Sequence, residues 1–186
     1  MHELILGGQR SGKSRCAEVR AQAWLAGDPE RSALLIATGQ ALDDEMRSRI
    51  ARHRLDRAAR VPAMATLEEP VALAEALRAH SRAGRLIVVD CLTLWLTNLV
   101  MPQRGAPLDD AALAGARDAV LDALRGVAEP IVLVSNEIGL GVAPLGAETR
   151  RFVDELGRLH QVVAALCSRV TLMVAGIEIP VKRPGT

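Results

Sequence analysis

A short apolar run, Leu4-Ile5-Leu6, leads straight into Gly7-Gly8-Gln9-Arg10-Ser11-Gly12-Lys13-Ser14, and a helical pattern follows. No other stretch limits the possible folds so tightly. Glycines in the pattern G-x-x-x-x-G-K-S let the backbone curl until successive N–H groups point inward at an anion. A helix beginning near Gly12 adds its positive dipole end. In that arrangement Lys13 reaches the β- and γ-phosphates of a nucleotide, and the Ser14 hydroxyl is a Mg²⁺ ligand. The plainer alternative is an ordinary Gly-rich turn between strand and helix. With a strand before it and a helix after it, the motif predicts a nucleoside-triphosphate site.

Periodicity extends this start into an alternating chain. After a helix over about Lys13–Leu25, the run Ala33–Ala37 precedes a helix from about Asp43 to Arg57. A helix over about Pro70–Ala83 leads to the strand Leu86–Asp90, and Leu92–Leu99 continues helically. A loop with Pro102, Gly105 and Pro107 gives way to a helix over Asp109–Val127, then the strand Ile131–Ser135. Residues Phe152, Val153, Leu156, Leu159, Val163 and Leu166 mark Arg150–Cys167 as an amphipathic helix. Val170–Val174 is the last strong strand, and Glu178–Lys182 a short edge strand in which Pro180 is tolerated. Uniformly apolar strands separated by helices predict an α/β fold, a P-loop NTPase-like three-layer α/β/α domain with a mainly parallel sheet. No repeat or linker divides the chain, so one domain over residues 1–186 is expected.

Composition agrees. The 186 residues are 49% hydrophobic and 24% charged, ordinary globular usage, and suit one sizeable core. A net charge of +1 argues against a broad nucleic-acid footprint. Two Trp, one Phe and no Tyr leave no stacking platform for single strands. Trp95 reads as core. Cys16, Cys91 and Cys167 are widely spaced and read as small buried side chains in a reducing compartment. Met1-His2-Glu3 runs almost directly into the first strand, and Leu86–Val89 is far too short to span a bilayer. A soluble, cytoplasmic protein is expected.

In a parallel sheet of this kind ligands sit at the carboxyl ends of the strands. The candidates are therefore Gly7–Ser14, Thr38-Gly39-Gln40, Asp90-Cys91 and Asn136-Glu137. Asp90 beside a P-loop suits holding Mg²⁺ through water or orienting a nucleophile; it also suits capping the following helix. Asn136-Glu137-Ile138-Gly139-Leu140-Gly141 reads equally as an adaptable loop at the active edge and as a plain connection. Asp43-Asp44-Glu45 complements a helix dipole, and that accounts for it. His53 falls at the C-terminal end of the stripe Leu42, Met46, Ile50, His53 and Arg57, among Arg49, Arg52 and Arg54. Cationic surroundings favour a neutral, nucleophilic imidazole, and a structural histidine in a last helical turn is the competing account. His160 reads as surface or edge, and His2 and His80 carry no signal.

Taken together, GGQRSGKSR from Gly7, IATGQALDDEM from Ile36, RIARHRLDR from Arg49 and VDCLTLWLTNL from Val89 resemble one family. VSNEIGLGVAP from Val134, RFVDELGRLHQ from Arg151 and AGIEIPVK from Ala175 continue the match in order. It is the bifunctional adenosylcobinamide kinase/adenosylcobinamide-phosphate guanylyltransferases of cobalamin biosynthesis. The resemblance implies phosphorylation of adenosylcobinamide with ATP or GTP, then transfer of GMP from GTP through a GMP–histidine intermediate to give adenosylcobinamide-GDP. It aligns His53 with the family's nucleophile. It implies nucleotide contacts at Gly7, Gly8, Gln9, Arg10, Ser11, Gly12, Lys13 and Ser14, at Ala37, Thr38 and Gly39, at Arg54, Leu55, Asp56 and Arg57, and at Glu68 and Asp90. It also implies Mg²⁺ on Ser14 and Asp90, Lys13 in catalysis, and a homotrimer. Two departures stand out. No Trp lies between Arg57 and Thr66, and the family's GR.NQ reads Gly157-Arg158-Leu159-His160-Gln161 here.

Two other functions fit the P-loop. A small-metabolite kinase would transfer the γ-phosphate alone, with His53 structural. A nucleotide-dependent switch would need a protein partner; Ser135-Asn136-Glu137-Ile138 is not the N-K-x-D that reads guanine in GTPase switches.

Overall fold

The computed structural model describes residues 1–185. Its elements are β1 (Glu3–Gly7), α1 (Lys13–Ala26), β2 (Ser32–Ala37), α2 (Asp44–Arg60), β3 (Met64–Glu68), α3 (Leu73–His80), β4 (Arg85–Asp90), α4 (Leu92–Val100), α5 (Asp110–Gly126), β5 (Ile131–Asn136), α6 (Ala147–Leu166), β6 (Arg169–Val174) and β7 (Ile177–Lys182). One seven-stranded sheet runs in the order β3-β2-β4-β5-β1-β6-β7. Every neighbouring pair is parallel except β6 and β7. The mainly parallel α/β architecture expected from the alternating pattern is the one observed.

Strand side chains divide the core by simple alternation. Leu4, Leu34, Ile36, Ile87, Val89, Ile131 and Leu133 pack on the face covered by α3, α4, α5 and α6. Their neighbours Ile5, Ala33, Leu35, Leu86, Val88, Val132 and Val134 pack on the other face, against Cys16, Ala17 and Ala21 of α1. Both faces are apolar because helices cover both. Trp95 sits in the larger cluster, 1% exposed, with its indole N–H donating to the Val71 carbonyl at 2.9 Å. All three cysteines are buried and free.

The structure adds one strand that the sequence pattern does not announce. Met64–Glu68 forms the sheet edge beside β2, and only Met64 of its five residues is buried. A half-polar edge segment carries no continuous apolar run, so periodicity gives it no weight. The C-terminal edge is β7, antiparallel to β6 as the outermost strand and holding Pro180. Its hairpin turns on Ala175 (φ 51°) and Gly176 (φ 82°), the two positive-φ positions that a tight hairpin with right-handed strand twist needs.

The helix α2 differs from the rest. It extends to Arg60, so His53 lies at its middle and not at its end, and none of its residues is buried. The stripe through Met46, Ile50 and His53 thus faces a partly open surface. Asp43 caps it by accepting from Met46 N at 2.7 Å, a plain structural role for the acidic cluster. Among the described residues no helix is long and apolar enough to cross a membrane.

Replacement at the sheet centre separates the two kinds of strand. Leu133→Ala, at a residue with no exposure, is expected to cost about 2–5 kcal/mol. Val181→Thr on the edge strand, 63% exposed, is expected to stay within about 0.5 kcal/mol in urea denaturation.

Candidate active site

The glycine-rich turn closes directly onto backbone. A Cβ on Gly7 would lie 2.5 Å from the Met173 carbonyl oxygen and 2.6 Å from Ser11 Oγ, so no side chain fits there. Gly12 takes φ 101° as the N-cap of α1, a conformation that favours glycine. The β6–β7 turn props the loop from outside, with Gly176 N donating to Ser11 O at 3.0 Å. The first turn of α1 then presents backbone N–H groups without intrahelical acceptors at the carboxyl edge of the sheet. Ser11 Oγ is buried without a hydrogen-bond partner.

Lys13 is buried and its Nζ donates to Gly8 O at 2.6 Å. Burial lowers its pKa from the ordinary lysine value, and the nearby Cys91 and Asp90 oppose that shift. Ser14 Oγ donates to Asp90 Oδ2 at 2.9 Å, tying the end of β4 to the start of α1 across the intervening strand β5. Two hard oxygens so placed beside a phosphate cradle are the donor set Mg²⁺ prefers, since it keeps most of its waters and takes few protein ligands. Asp90 does not cap α4. Cys91 occupies the N-cap, its thiol accepting from Leu94 N at 3.5 Å.

One crevice is lined by Ser14, Ala17, Glu18, Leu35, His53, Arg57, Met64, Val88 and Asp90. His53 thus comes from α2 to the same opening as the P-loop serine and the β4 carboxylate. Arg57 faces it as well; burial lowers its pKa, with Asp90 opposing. Ion pairs in place of apolar burial hold α2 here. Arg54 pairs with Glu68 at the end of β3, Arg57 donates to Thr66 Oγ1 at 3.3 Å, and Arg60 meets Glu18 of α1 at 3.0 Å. Leu55 faces solvent, 73% exposed, and neither it nor Asp56 lines the crevice.

Thr38 is fully buried and its hydroxyl brackets one residue, donating to Cys91 O at 2.7 Å and accepting from Cys91 N at 2.9 Å. Ala37 ends β2 one position earlier, in register with Asp90. Gly39 packs under Leu94, 3.3 Å from where its Cβ would be. Asn98 completes this corner, its amide donating to the carbonyls of Thr38 and Pro70 at 2.8 and 2.9 Å. A single amide inside the apolar helix Leu92–Val100 is the available sequence signal for that clamp.

Three further residues escape a reading by motif. His160 is buried, not at the surface, with Nε2 2.7 Å from Ser135 Oγ. Ser135 Oγ in turn lies 3.0 Å from Thr93 Oγ1, which accepts from Asn136 N at 2.7 Å. The reason for the difference is position. His160 follows Leu156 and Leu159 on the buried side of α6, where a polar ring is tolerated because a hydroxyl meets it.

Comparison with known proteins gives the chain its relatives. The family model described as cobinamide kinase / cobinamide phosphate guanyltransferase matches residues 3–181. The Pseudomonas aeruginosa bifunctional adenosylcobalamin biosynthesis protein CobP is 52% identical over 98% of both chains. The Escherichia coli bifunctional adenosylcobalamin biosynthesis protein CobU is 36% identical over 96% of this chain and 98% of its own. Among solved structures, the flagellar accessory protein FlaH of Methanocaldococcus jannaschii has a TM-score of 0.50 at 12% identity, covering 100% of this chain and 80% of its own. That likeness concerns the fold alone.

The close approach at Gly7 gives a sharp contrast. Gly7→Ala is expected to weaken GTP binding by about 1–3 kcal/mol through overpacking against Met173. Gly8→Ala, with nothing within 4 Å of its Cβ, is expected to leave the calorimetric Kd within about twofold of the parent.

Proposed function

Because this chain belongs to the cobinamide kinase / cobinamide phosphate guanyltransferase family, we propose that it carries out both transfers at the crevice beside the P-loop, the second through a covalent GMP on His53. The observation that carries this reading is the meeting of His53 with Ser14 and Asp90 in one opening. It is an enzyme of adenosylcobalamin biosynthesis, a kinase and guanylyltransferase.

In the kinase step the P-loop amides of Gly8–Ser14 and Lys13 cradle the donor phosphates of ATP or GTP, and the γ-phosphoryl group passes in line to the hydroxyl of the aminopropanol arm of adenosylcobinamide. The β–γ P–O bond breaks, the nucleoside diphosphate leaves with the electron pair, and the hydroxyl proton passes to solvent. Fixed donors stabilise charge on the transferring group without reorganising at the moment of reaction. Ser14 and Asp90 would hold Mg²⁺, which when bound would supply further neutralisation of phosphate charge. In the second step a neutral His53 nitrogen attacks the α-phosphorus of GTP. A P–N bond forms, the α–β P–O bond breaks, and pyrophosphate leaves with the electron pair. A phosphate oxygen of adenosylcobinamide phosphate then attacks the same phosphorus, the P–N bond breaks, and His53 recovers its lone pair. Two displacements replace one difficult one, which is the advantage of a covalent intermediate. Arg57, four residues beyond His53 on α2, is a cation facing the same crevice as the migrating GMP.

Attack at α and attack at γ need different placements of the triphosphate relative to the acceptor. An α2 held by ion pairs, with no buried residue of its own, is suited to change position between them. The family resemblance also leads us to propose a homotrimer, testable by light scattering of the purified protein.

Incubation with Mg²⁺ and α-labelled GTP, followed by denaturation, tests the covalent step. Wild type is expected to retain acid-labile, alkali-stable label and His53→Ala none. A folded, GTP-binding wild type that stays unlabelled while transferring γ-phosphate would leave a simple kinase.

A further inference from the structure

His160 is a buried titratable group that neither transfer uses, and its hydrogen-bond partners lead to the P-loop. Ser135 has no exposure, and the chain from His160 Nε2 runs through Ser135 Oγ (2.7 Å) and Thr93 Oγ1 (3.0 Å) to the backbone N–H of Asn136 (2.7 Å). The other ring nitrogen, Nδ1, lies 3.7 Å from Glu137 Oε2. Glu137 is the first residue beyond β5. Its own N–H donates to Gly7 O at 2.9 Å, and its carboxylate accepts from Gly139 N at 2.6 Å. One imidazole therefore hydrogen-bonds one residue flanking Asn136 and lies beside the carboxylate of the other, and the strand position of Asn136 pairs with Gly7.

We propose that His160 is a positioning residue for the two transfers: as a neutral imidazole it fixes Asn136 and Glu137 against Gly7 and so holds the flank of the phosphate cradle. The proposal rests on the reading of that cradle as the donor site.

Direction of the hydrogen bonds explains why the ring must be neutral. The Glu137 carboxylate, 3.7 Å from Nδ1 and so beyond hydrogen-bond range, favours by its charge the tautomer with the proton there. Nε2 is then an acceptor, Ser135 donates to it, Thr93 donates to Ser135, and Asn136 N–H donates to Thr93. Every hydroxyl is used once as donor and once as acceptor. Protonating Nε2 reverses this order. Ser135 then turns its hydrogen to Thr93, whose Oγ1 already accepts from Asn136 N and whose own hydrogen must leave Ser135. The rearrangement loosens the hydroxyl that holds Asn136.

Charges around the ring are few. Glu137 faces it from the loop, β5 and α4 present the hydroxyls of Ser135 and Thr93, and Arg117 on α5 is engaged by Glu155, more than a turn away on α6. Burial lowers the His160 pKa and Glu137 partly opposes this. The neutral form is thereby favoured, and the contact is lost as pH falls.

The test compares wild type, His160→Ala and His160→Gln, following γ-phosphate transfer and pyrophosphate release in parallel over about pH 5 to 8. Adenosylcobinamide and its phosphate are the acceptors. Glutamine offers a neutral amide that accepts from Ser135 and donates toward Glu137 but does not titrate. His160→Ala is expected to lower kcat by about tenfold to a hundredfold while the Kd for GTP stays within about twofold. His160→Gln is expected to keep kcat within about threefold of wild type and to lose the acid limb of γ-phosphate transfer, the step that does not use His53. An alanine variant with wild-type kcat across that range, or a glutamine variant with the wild-type acid limb in γ-phosphate transfer, overturns the proposal. If the alanine protein does not fold, the glutamine pH profile decides. A wild type that releases no pyrophosphate removes the guanylyl-transfer reading instead, and His160 is then judged on γ-transfer alone.

Discussion

The close approach of Gly7 to the Met173 carbonyl sets the geometry of everything around the phosphate cradle. A chain that must turn at the end of β1 with another strand's backbone in van der Waals range has no room for a Cβ. That closeness follows from β1 being paired on both sides, by β5 and β6, in full register through Gly7. The turn is thereby built on the rigid middle of the sheet. Helix α1 in turn starts with its N–H groups at the carboxyl edge, where β2, β4 and β5 also deliver Ala37, Asp90 and Asn136. A flexible loop is made into a defined anion cradle by the sheet beneath it and by the β6–β7 turn beside it.

Around that cradle the two faces of the sheet differ in how they are held. The face under α3 to α6 is closed by a continuous apolar cluster that includes Trp95 and Leu133. The opposite face is closed by α1 over a smaller cluster, and there α2 is attached by arginine contacts to Glu18, Thr66 and Glu68. Pairs as exposed as Arg54 with Glu68 contribute little net stability each. A helix so held buries none of its own residues, whereas the cradle is built on the paired middle of the sheet. The residue proposed as nucleophile sits on the adaptable element and the phosphate-binding groups on the fixed one. This division suits the proposed single site, which would present two phosphorus atoms of a triphosphate in turn.

Much of this arrangement is legible in the linear chain. The P-loop, the strands Leu4–Leu6, Leu86–Asp90 and Ile131–Ser135, and the amphipathic helix through Phe152 and Val163 all carry local signals of period or spacing. Edge strand β3 is not legible, since Met64–Glu68 has one buried residue and draws its place from pairing with β2. Charged neighbours single out His53, but its distance along α2 from the helix end depends on where the helix stops. For His160 the sequence points the wrong way, to the surface, because a histidine on an amphipathic helix gives no sign of the Ser135 hydroxyl it meets.

Short-range signals alone are enough to specify a mainly parallel α/β sheet with a phosphate-binding turn after its first strand, because those features rest on local periodicity and on the conformations open to glycine. They do not specify which side chains share the site; that is fixed only when the whole chain packs. Ser14 reaches Asp90 across 76 positions, and Ser135 reaches His160 across 25. Those meetings depend on strand order, with β5 between β4 and β1, and strand order is settled by how the strands and helices bury one common core.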